Sequence, residues 1–270
     1  MPDAPNRLDA CFAHLRSTGR RAFVAYICAG DPTLETTVDL VLALEKAGVD
    51  VIELGLPFSD PLADGIVNQL AADRAIRSGT TTPKVLEMIK TIRQHSQVPL
   101  VLFTYLNPVY TYGYERFHED ASAAGADGIL VLDLPADEAA QNPELQAAPG
   151  LRKIRLIAPT SPDDRVPQIA AQAEGFIYYV SREGVTGAQE SIATGIAERV
   201  ALIKSSTEVP VCVGFGISTP EQAAAVAAMA DGVVVGSAIV KLIGKLGTSS
   251  TLASEVGALV KPLVDAVKAV

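Results

Sequence analysis

Glu53 and Asp64, two carboxylates eleven residues apart, are the pair whose type and spacing say most about chemistry in this 270-residue chain. Glu53 sits in the short apolar run Val51-Ile52-Glu53-Leu54, and Asp64 follows in the proline-containing segment Pro57 to Gly65. A charge within an apolar strand is unfavourable unless it is neutralised, paired or used. Two acids reaching one pocket, one from a strand end and one from the loop after it, are the raw material of acid–base catalysis. The plainer readings are a structural carboxylate paired to an arginine for Glu53 and a helix N-cap for Asp64 or Asp60. Spacing alone does not separate Asp60 from Asp64.

A second signal is two glycine turns, Gly214-Phe215-Gly216-Ile217-Ser218 and Gly236-Ser237-Ala238-Ile239-Val240, each after an apolar run. Glycine lets backbone N–H groups approach an anion, and Ser237 can open a helix whose N-terminus favours negative charge. The alternative is a pair of tight turns without a ligand. Ser181-Arg182 and Gly184-Val185-Thr186-Gly187 follow another apolar run. This segment reads as a third phosphate contact, a lid over the site or a flexible turn. As a lid, it would bring Thr186 towards Asp64 and the Gly187 N–H towards the phosphate. Tyr105 and Tyr178 end strand-like runs, where each either lines a ring-shaped pocket or packs in the core with its hydroxyl outward.

Other chemistries find no support. His14, His95 and His118 are scattered without ligand spacing, so no metal site is expected. No lysine ends a strand-like run, which disfavours a Schiff-base aldolase. No GxSxG or Cys/His pair points to acyl transfer. The remaining possibility is carboxylate acid–base chemistry on a small phosphorylated molecule. A formal net charge of −9 disfavours nucleic acid and anionic membrane as partners, so backbone N–H groups must do most of the phosphate binding. Cys11, Cys28 and Cys212 show no CxxC spacing and fit free thiols in a reducing cytoplasm. The first residues carry no signal-like apolar stretch. The most apolar tract, Ala223 to Val240, is broken by Asp231, Gly232 and Gly236 and reads as helix, turn and strand.

The elements that must position these residues alternate along the chain. Strands are expected at 23–28, 51–54, 100–105, 128–132, 155–157, 176–180, 211–213 and 232–235, mostly as continuous Val/Ile/Leu runs typical of buried parallel strands. Helices are expected at 34–47, 83–94, 114–124, 163–173, 191–205 and 220–230, with a weaker crossover at 136–148 interrupted by Pro143. Ala47-Gly48-Val49-Asp50, Ala124-Gly125-Ala126-Asp127 and Ala230-Asp231-Gly232 repeat one pattern, a glycine turn from helix to strand. Eight regular units predict an α/β fold, a single (β/α)8 TIM barrel domain over 1–270, in preference to a doubly wound sheet. A helix at 6–17 would close the barrel floor. Helical sequence at 69–77 adds material after the second strand, at the catalytic face, and the loops after strands seven and eight are the usual phosphate site of this fold.

The chain resembles the tryptophan synthase α chain family over essentially its whole length. The matching segments are Ala29-Gly30-Asp31-Pro32, Glu53-Leu54-Gly55, Pro57 through Gly65, Asn107-Pro108, Asp133-Leu134-Pro135, Ser181-Arg182 with Gly184 to Gly187, Gly214 through Ser218, and Gly236 through Val240. The segment from Pro57 to Gly65 is the most specific of these.

The resemblance implies cleavage of indole-3-glycerol phosphate to indole and glyceraldehyde 3-phosphate in tryptophan biosynthesis. It implies proton transfers by Glu53 and stabilisation of the ring N–H by Asp64. It implies a ring pocket of Phe23, Tyr105 and Tyr178, and a phosphate site of Gly187, Gly216, Gly236 and Ser237. It also implies docking on a separate β chain in an α2β2 heterotetramer. Asp60, Pro61, Leu62, Asn107, Pro108, Asp133 and Pro135 match positions facing that subunit. Pyridoxal phosphate is expected in the β partner, and no cofactor in this chain. Departures from the family pattern are Ile66 and Ala25 at usual proline positions, Asn68 at a usually apolar one, and Leu132 where smaller residues are common. Two related readings are a stand-alone indole-releasing lyase and a non-catalytic activating subunit of a β chain. Another phosphosugar barrel, such as an isomerase, is more remote.

Overall fold

Continuous apolar runs that pair on both edges and bury both faces form most of the described strands. The computed structural model describes residues 6–142, 145, 150–181, 189–214 and 216–270. Among them run β1 (Ala22–Cys28), β2 (Val51–Gly55), β3 (Leu100–Thr104), β4 (Gly128–Val131), β5 (Arg152–Lys153), β6 (Arg155–Ile157), β7 (Ile177–Val180), β8 (Val211–Gly214) and β9 (Gly232–Val235). All are parallel to their neighbours, and β9 pairs back onto β1. β5 bonds to β4 and β6 to β7, while the Ile154 N–H between them donates to the Ile129 carbonyl at 2.9 Å. The two pieces therefore share one staggered position, and the ring closes as an eight-position parallel barrel. The sequence reading anticipated only the β6 half of that position.

Helices α1 (Arg7–Ser17), α2 (Leu34–Ala47), α3 (Ile66–Arg77), α4 (Thr82–Arg93), α5 (Leu106–Tyr112), α6 (Tyr114–Ala124), α7 (Ala136–Gln141), α8 (Val166–Ala170), α9 (Gln189–Lys204), α10 (Pro220–Ala227), α11 (Ser237–Leu246) and α12 (Leu252–Lys268) accompany the strands. α2 starts where the Thr33 hydroxyl accepts from the Thr36 N–H and stops at Gly48, whose φ is 99°. Gly125 ends α6 in the same way. The third member of that expected series differs. Gly232 lies inside β9, where an added Cβ would sit 2.6 Å from the Cys212 sulfur, so close packing rather than a turn selects glycine there. Neither α5 nor α12 was anticipated from the sequence. Among the described residues, no helix is long and apolar enough to cross a membrane.

Strand alternation splits the core into two layers. Ala22, Val24, Tyr26 and Cys28 of β1 belong to the lumen cluster with Val51, Val101, Phe103, Leu130 and Val234. Phe23, Ala25 and Ile27 belong to the outer layer, packed with Leu40, Leu44 and Val260 of the surrounding helices. Leu8, Phe12 and Leu15 of α1 join the lumen cluster, with the Phe12 and Phe176 rings 5.7 Å apart. The N-terminal helix therefore closes the floor of the barrel. Asp127, 1% exposed, ties that floor together. It accepts from Arg7 at 2.8 Å, from Arg93 at 2.7 Å and from the Leu100 N–H at 2.8 Å.

Candidate active site

The register of β2 puts Glu53 between Tyr26 of β1 and Val101 of β3, on the lumen side of the wall. Its residue exposure is 0%, and neither carboxyl oxygen has a hydrogen-bond partner among the described residues. Burial alone pushes its pKa up from 4.5 to about 8. Burial therefore favours the neutral, protonated form of Glu53 at physiological pH, a proton donor held in the barrel wall. The structural alternative, a carboxylate paired to arginine, does not describe it.

Glu53 opens onto a small cavity of about 80 Å³ lined by Tyr26, Glu53, Asn68, Phe103, Tyr178, Gly216, Ile217, Val234, Gly236 and Ser237. Two tyrosines reach this space because the opposing backbone is glycine. A Cβ at Gly55 would collide with the Tyr26 ring, and one at Gly214 with the Tyr178 ring. Burial raises the Tyr26 and Tyr178 pKa values, and the Asp64 carboxylate, joined by Glu53 once it ionises, raises both further. Both acids thus act on the same two hydroxyls.

Asp64 is held from the loop side. The Tyr105 hydroxyl donates to Asp64 Oδ2 at 2.8 Å and itself accepts from the Ala63 N–H at 3.0 Å. Asn68 Nδ2 donates to Asp64 Oδ1 at 3.3 Å, and Gln69 Nε2 to the Asp64 carbonyl at 2.8 Å. Burial raises its pKa, while Tyr105 and Asn68 favour the carboxylate. The N-cap of α3 is Gly65, with no side-chain hydrogen bond, so Asp64 does not cap that helix. Asp60 is exposed and accepts from Ser59 Oγ at 2.5 Å. Geometry separates the two aspartates where spacing did not.

The glycine turns after β8 and β9 meet at the same cavity. Gly216 has φ 46°, in the region glycine favours. Ser237 is the first residue of α11, and Gly236 before it supplies no capping side chain. The Gly236 carbonyl accepts from the Ile239 and Val240 N–H groups, while the N–H groups of Ser237 and Ala238 have no acceptor within the helix. Thr186, Gly187 and most of the lid expected over 181–190 lie outside the described residues.

One expected pocket residue is corrected. Phe23 lies in the outer layer at 0% exposure, on the opposite face of β1 from Tyr26, and does not line the cavity. Tyr26 and Phe103 take that place, their rings edge to face at 4.9 Å. Tyr105 stands beside the cavity, gripping Asp64 and meeting Phe58 at a ring separation of 5.5 Å. Tyr178, Gly216, Gly236 and Ser237 converge with Glu53 as expected from their strand ends. Strand alternation puts positions 23 and 26 on opposite faces, and closure of the barrel decides that 26 faces the lumen.

On the rim, Asp60, Leu62, Asn107, Asp133 and Pro135 are exposed, and Pro61 and Pro108 partly so. Asp133 accepts from the Leu106 N–H at 2.6 Å, linking the loop after β4 to the start of α5. Leu62 is 92% exposed and Tyr110, on α5, is 69% exposed. Tyr110 has no counterpart in the sequence reading.

Fold and cavity together define a (β/α)8 barrel with a buried acid and two glycine turns at the C-terminal ends of its strands. The family model for the tryptophan synthase alpha chain matches residues 12–268. The chain belongs to the tryptophan synthase alpha chain family. It is 50% identical over 262 residues to the tryptophan synthase alpha chain of Geobacter sulfurreducens, covering 97% of this chain and 99% of that one. The crystal structure of the Legionella pneumophila subunit alpha matches with a TM-score of 0.89 at 37% identity, covering 99% and 100% of the two chains. A chain of tryptophan synthase from M. tuberculosis, solved in an aminoacrylate-bound form, matches with a TM-score of 0.83 at 32% identity, covering 97% and 99%. The family's reaction is cleavage of indole-3-glycerol phosphate in tryptophan biosynthesis, a lyase step. Its members work with a β chain, which carries the pyridoxal phosphate, and bring no cofactor of their own.

Proposed function

We propose that Glu53 carries the protons of this cleavage and that Asp64 stabilises the charge it creates. Breaking the bond between indole C3 and the side chain needs an electron sink, and protonating C3 makes one in the ring. A buried neutral acid is the group for that step. As C3 takes the Glu53 proton, positive charge develops at the ring nitrogen, and the Asp64 carboxylate accepts the ring N–H. The Glu53 carboxylate then takes the proton from the hydroxyl on the carbon being released. That carbon becomes the aldehyde of glyceraldehyde 3-phosphate, the bonding electrons return to the ring, and indole leaves with Glu53 protonated again.

The single observation that carries this reading is Glu53 itself, fully buried, without a partner among the described residues, and opening on the cavity shared with Gly236 and Ser237. The substrate phosphate is assigned to Gly216, Gly236 and Ser237, with the Gly187 N–H as a further expected contact and Thr186 expected towards Asp64. The ring is assigned to Tyr26, Phe103 and Tyr178, with Tyr105 orienting Asp64. The β chain is assigned to the rim of Asp60, Pro61, Leu62, Asn107, Pro108, Asp133 and Pro135 in an α2β2 assembly. Exposed Leu62 and Tyr110 supply apolar surface there. Free Cys11, Cys28 and Cys212 support a cytoplasmic protein. The whole chain forms one catalytic domain in this reading.

The test is indole release from indole-3-glycerol phosphate by wild type and Glu53→Gln, each with and without a β chain. Wild type is expected to turn over alone and faster with the partner. Near-normal turnover by folded Glu53→Gln would overturn the assignment of the proton carrier.

A further inference from the structure

Asn68 stands where the geometry of α3 favours a hydrocarbon. Ala71, Ala72 and Ala75 make the buried stripe of that helix, and Asn68 precedes them by three, four and seven residues on the same face. At the N-terminal end of the stripe it lines the cavity that holds Glu53, Gly236 and Ser237. An asparagine on a buried seam needs partners for both halves of its amide.

Chemistry fixes which way that amide faces. A carboxylate only accepts, so the NH2 group turns to Asp64, Nδ2 donating to Oδ1 at 3.3 Å. Asn68 Oδ1 is left buried and without a partner among the described residues. Both oxygens of Glu53 share that condition. An unpaired acceptor and an unpaired acid thus line one cavity, and a ligand hydroxyl has the donor and acceptor to satisfy both. It donates to the amide oxygen and accepts from the acid.

We propose that Asn68 is a specificity-determining residue whose Oδ1 accepts a hydrogen bond from a hydroxyl on the three-carbon phosphate portion of the substrate. This rests on the reading above, which puts the phosphate at Gly216, Gly236 and Ser237 and the ring N–H at Asp64. With the ring N–H taken, the chain hydroxyls are the donors left for Asn68. The second function of the amide, holding Asp64, couples the two halves of the site. One side chain orients the ring acceptor with its nitrogen and reads the hydroxylated chain with its oxygen. A ligand lacking the hydroxyl leaves Oδ1 unpaired, and a site built to hydrogen-bond a hydroxyl discriminates against such a ligand.

The experiment is titration of wild type and Asn68→Leu with glycerol 3-phosphate and with propyl phosphate, which lacks the hydroxyls. Leucine keeps the branching at Cγ, though it is larger, and continues the apolar stripe of the alanines, and thermal melts verify that the variant folds. Wild type is expected to prefer glycerol 3-phosphate by about five- to tenfold, the scale of one hydrogen bond. Asn68→Leu is expected to lose that preference by weakening glycerol 3-phosphate alone, leaving propyl phosphate within about twofold of wild type. In turnover of indole-3-glycerol phosphate, KM should rise by a larger factor than kcat falls. A purely structural role would shift both phosphates together. Equal weakening of both ligands, or a preference that survives in Asn68→Leu, overturns the assignment of Asn68 and leaves the phosphate site standing. Wild type that binds neither phosphate overturns the phosphate site and this inference with it.

Discussion

Asp127 and Glu53 are two carboxyl groups with almost the same burial, 1% and 0% exposed, at opposite ends of the barrel. Asp127, at the floor, is satisfied by Arg7, Arg93 and the Leu100 N–H. Glu53, in the wall below the cavity, has no hydrogen bond among the described residues. Burial raises the pKa of both, but at Asp127 the Leu100 N–H and the two guanidiniums pull against it. At Glu53 nothing opposes burial, and the value reaches about 8. The first environment keeps a charge and spends it on tying α1, α4 and β3 together. The second refuses the charge and so keeps a proton ready. Identical burial thus serves stability at one end and chemistry at the other, and the surrounding donors decide which.

Exchanging each carboxylate for its amide gives the largest expected effects and the sharpest contrast. Glu53→Gln should lower turnover at least about a hundredfold, since the shape is kept and the proton is not. Its melting temperature should not fall. Asp127→Asn should do the reverse, losing about 3–5 kcal/mol of stability by leaving Arg93 buried without its charge partner. Activity per folded molecule should stay close to wild type. Urea titration and indole release measured on the same two variants check this, and a stability loss in Glu53→Gln as large as in Asp127→Asn would erase the contrast.

The pH dependence of stability separates the two ends next. Unfolded Glu53 titrates near 4.5 and folded Glu53 near 8, so in that window the folded state binds the extra proton. Wild type therefore loses stability as pH rises through it, by up to about 1.4 kcal/mol per pH unit from this group. Glu53→Gln lacks the loss. The variant should match wild type near pH 4.5, pull ahead as pH rises, and hold a constant advantage above pH 8. Melting curves from pH 5 to 9 measure the gap, and a gap independent of pH would mean that Glu53 is charged in the folded state.

Much of this architecture was legible in advance because it depends on local pattern. The β-branched runs gave all eight barrel positions, and α2 and α6 were bounded correctly by sequence that includes Thr33, Gly48 and Gly125. α5 was missed because Pro108 masks it; the proline sits in the first turn, where it lacks only a hydrogen bond the helix does not need. The division of the fifth position into β5 and β6 depends on which neighbour each residue meets, which the chain does not state locally. Phe23 was put in the pocket by the family resemblance, and the strand pattern alone did not correct it. Alternation says that positions 23 and 26 face opposite ways, but which face is the lumen is set by closure of the barrel. Glu53 and Asp64 were visible as a pair, since acids in such places are rare. That Glu53 lacks a partner among the described residues was not, because a missing contact is a property of the assembled wall.

The Asp64 end offers a smaller test. Tyr105→Phe removes the hydroxyl that donates to Asp64 at 2.8 Å, and with it the acceptor of the Ala63 N–H at 3.0 Å. A hydrogen bond to a charged group contributes about 1.5–3 kcal/mol, so turnover should fall by about ten- to a hundredfold. Asp64→Asn should be impaired more severely, and Asp60→Asn less, with more of its loss showing in the response to a β chain. A pH–rate profile adds direction. Without the Tyr105 donor the Asp64 pKa rises, so the acid limb of the profile should move to higher pH. An unmoved limb would detach that titration from Asp64.

The smallest expected effect lies at the rim of the cavity, where binding rather than proton transfer is at stake. Ser237 opens α11 and is exposed, so its hydroxyl is free to meet an anion held by the first-turn N–H groups. Ser237→Ala keeps those N–H groups and removes only the hydroxyl. Affinity for glycerol 3-phosphate should fall by about 1 kcal/mol, one hydrogen bond, and by more if the lost contact is charge-assisted. Gly236→Asp should be far worse. It sets a carboxylate beside the anion, and its Cβ would come 3.2 Å from that of Tyr26, so bulk and charge act together. Because neither change touches Glu53 or Asp127, the pH dependence of stability should remain that of wild type in Ser237→Ala. A Ser237→Ala chain that binds glycerol 3-phosphate as wild type does, with Gly236→Asp also unaffected, would move the phosphate away from these turns and leave the Glu53 proton as the feature of the cavity still to be explained.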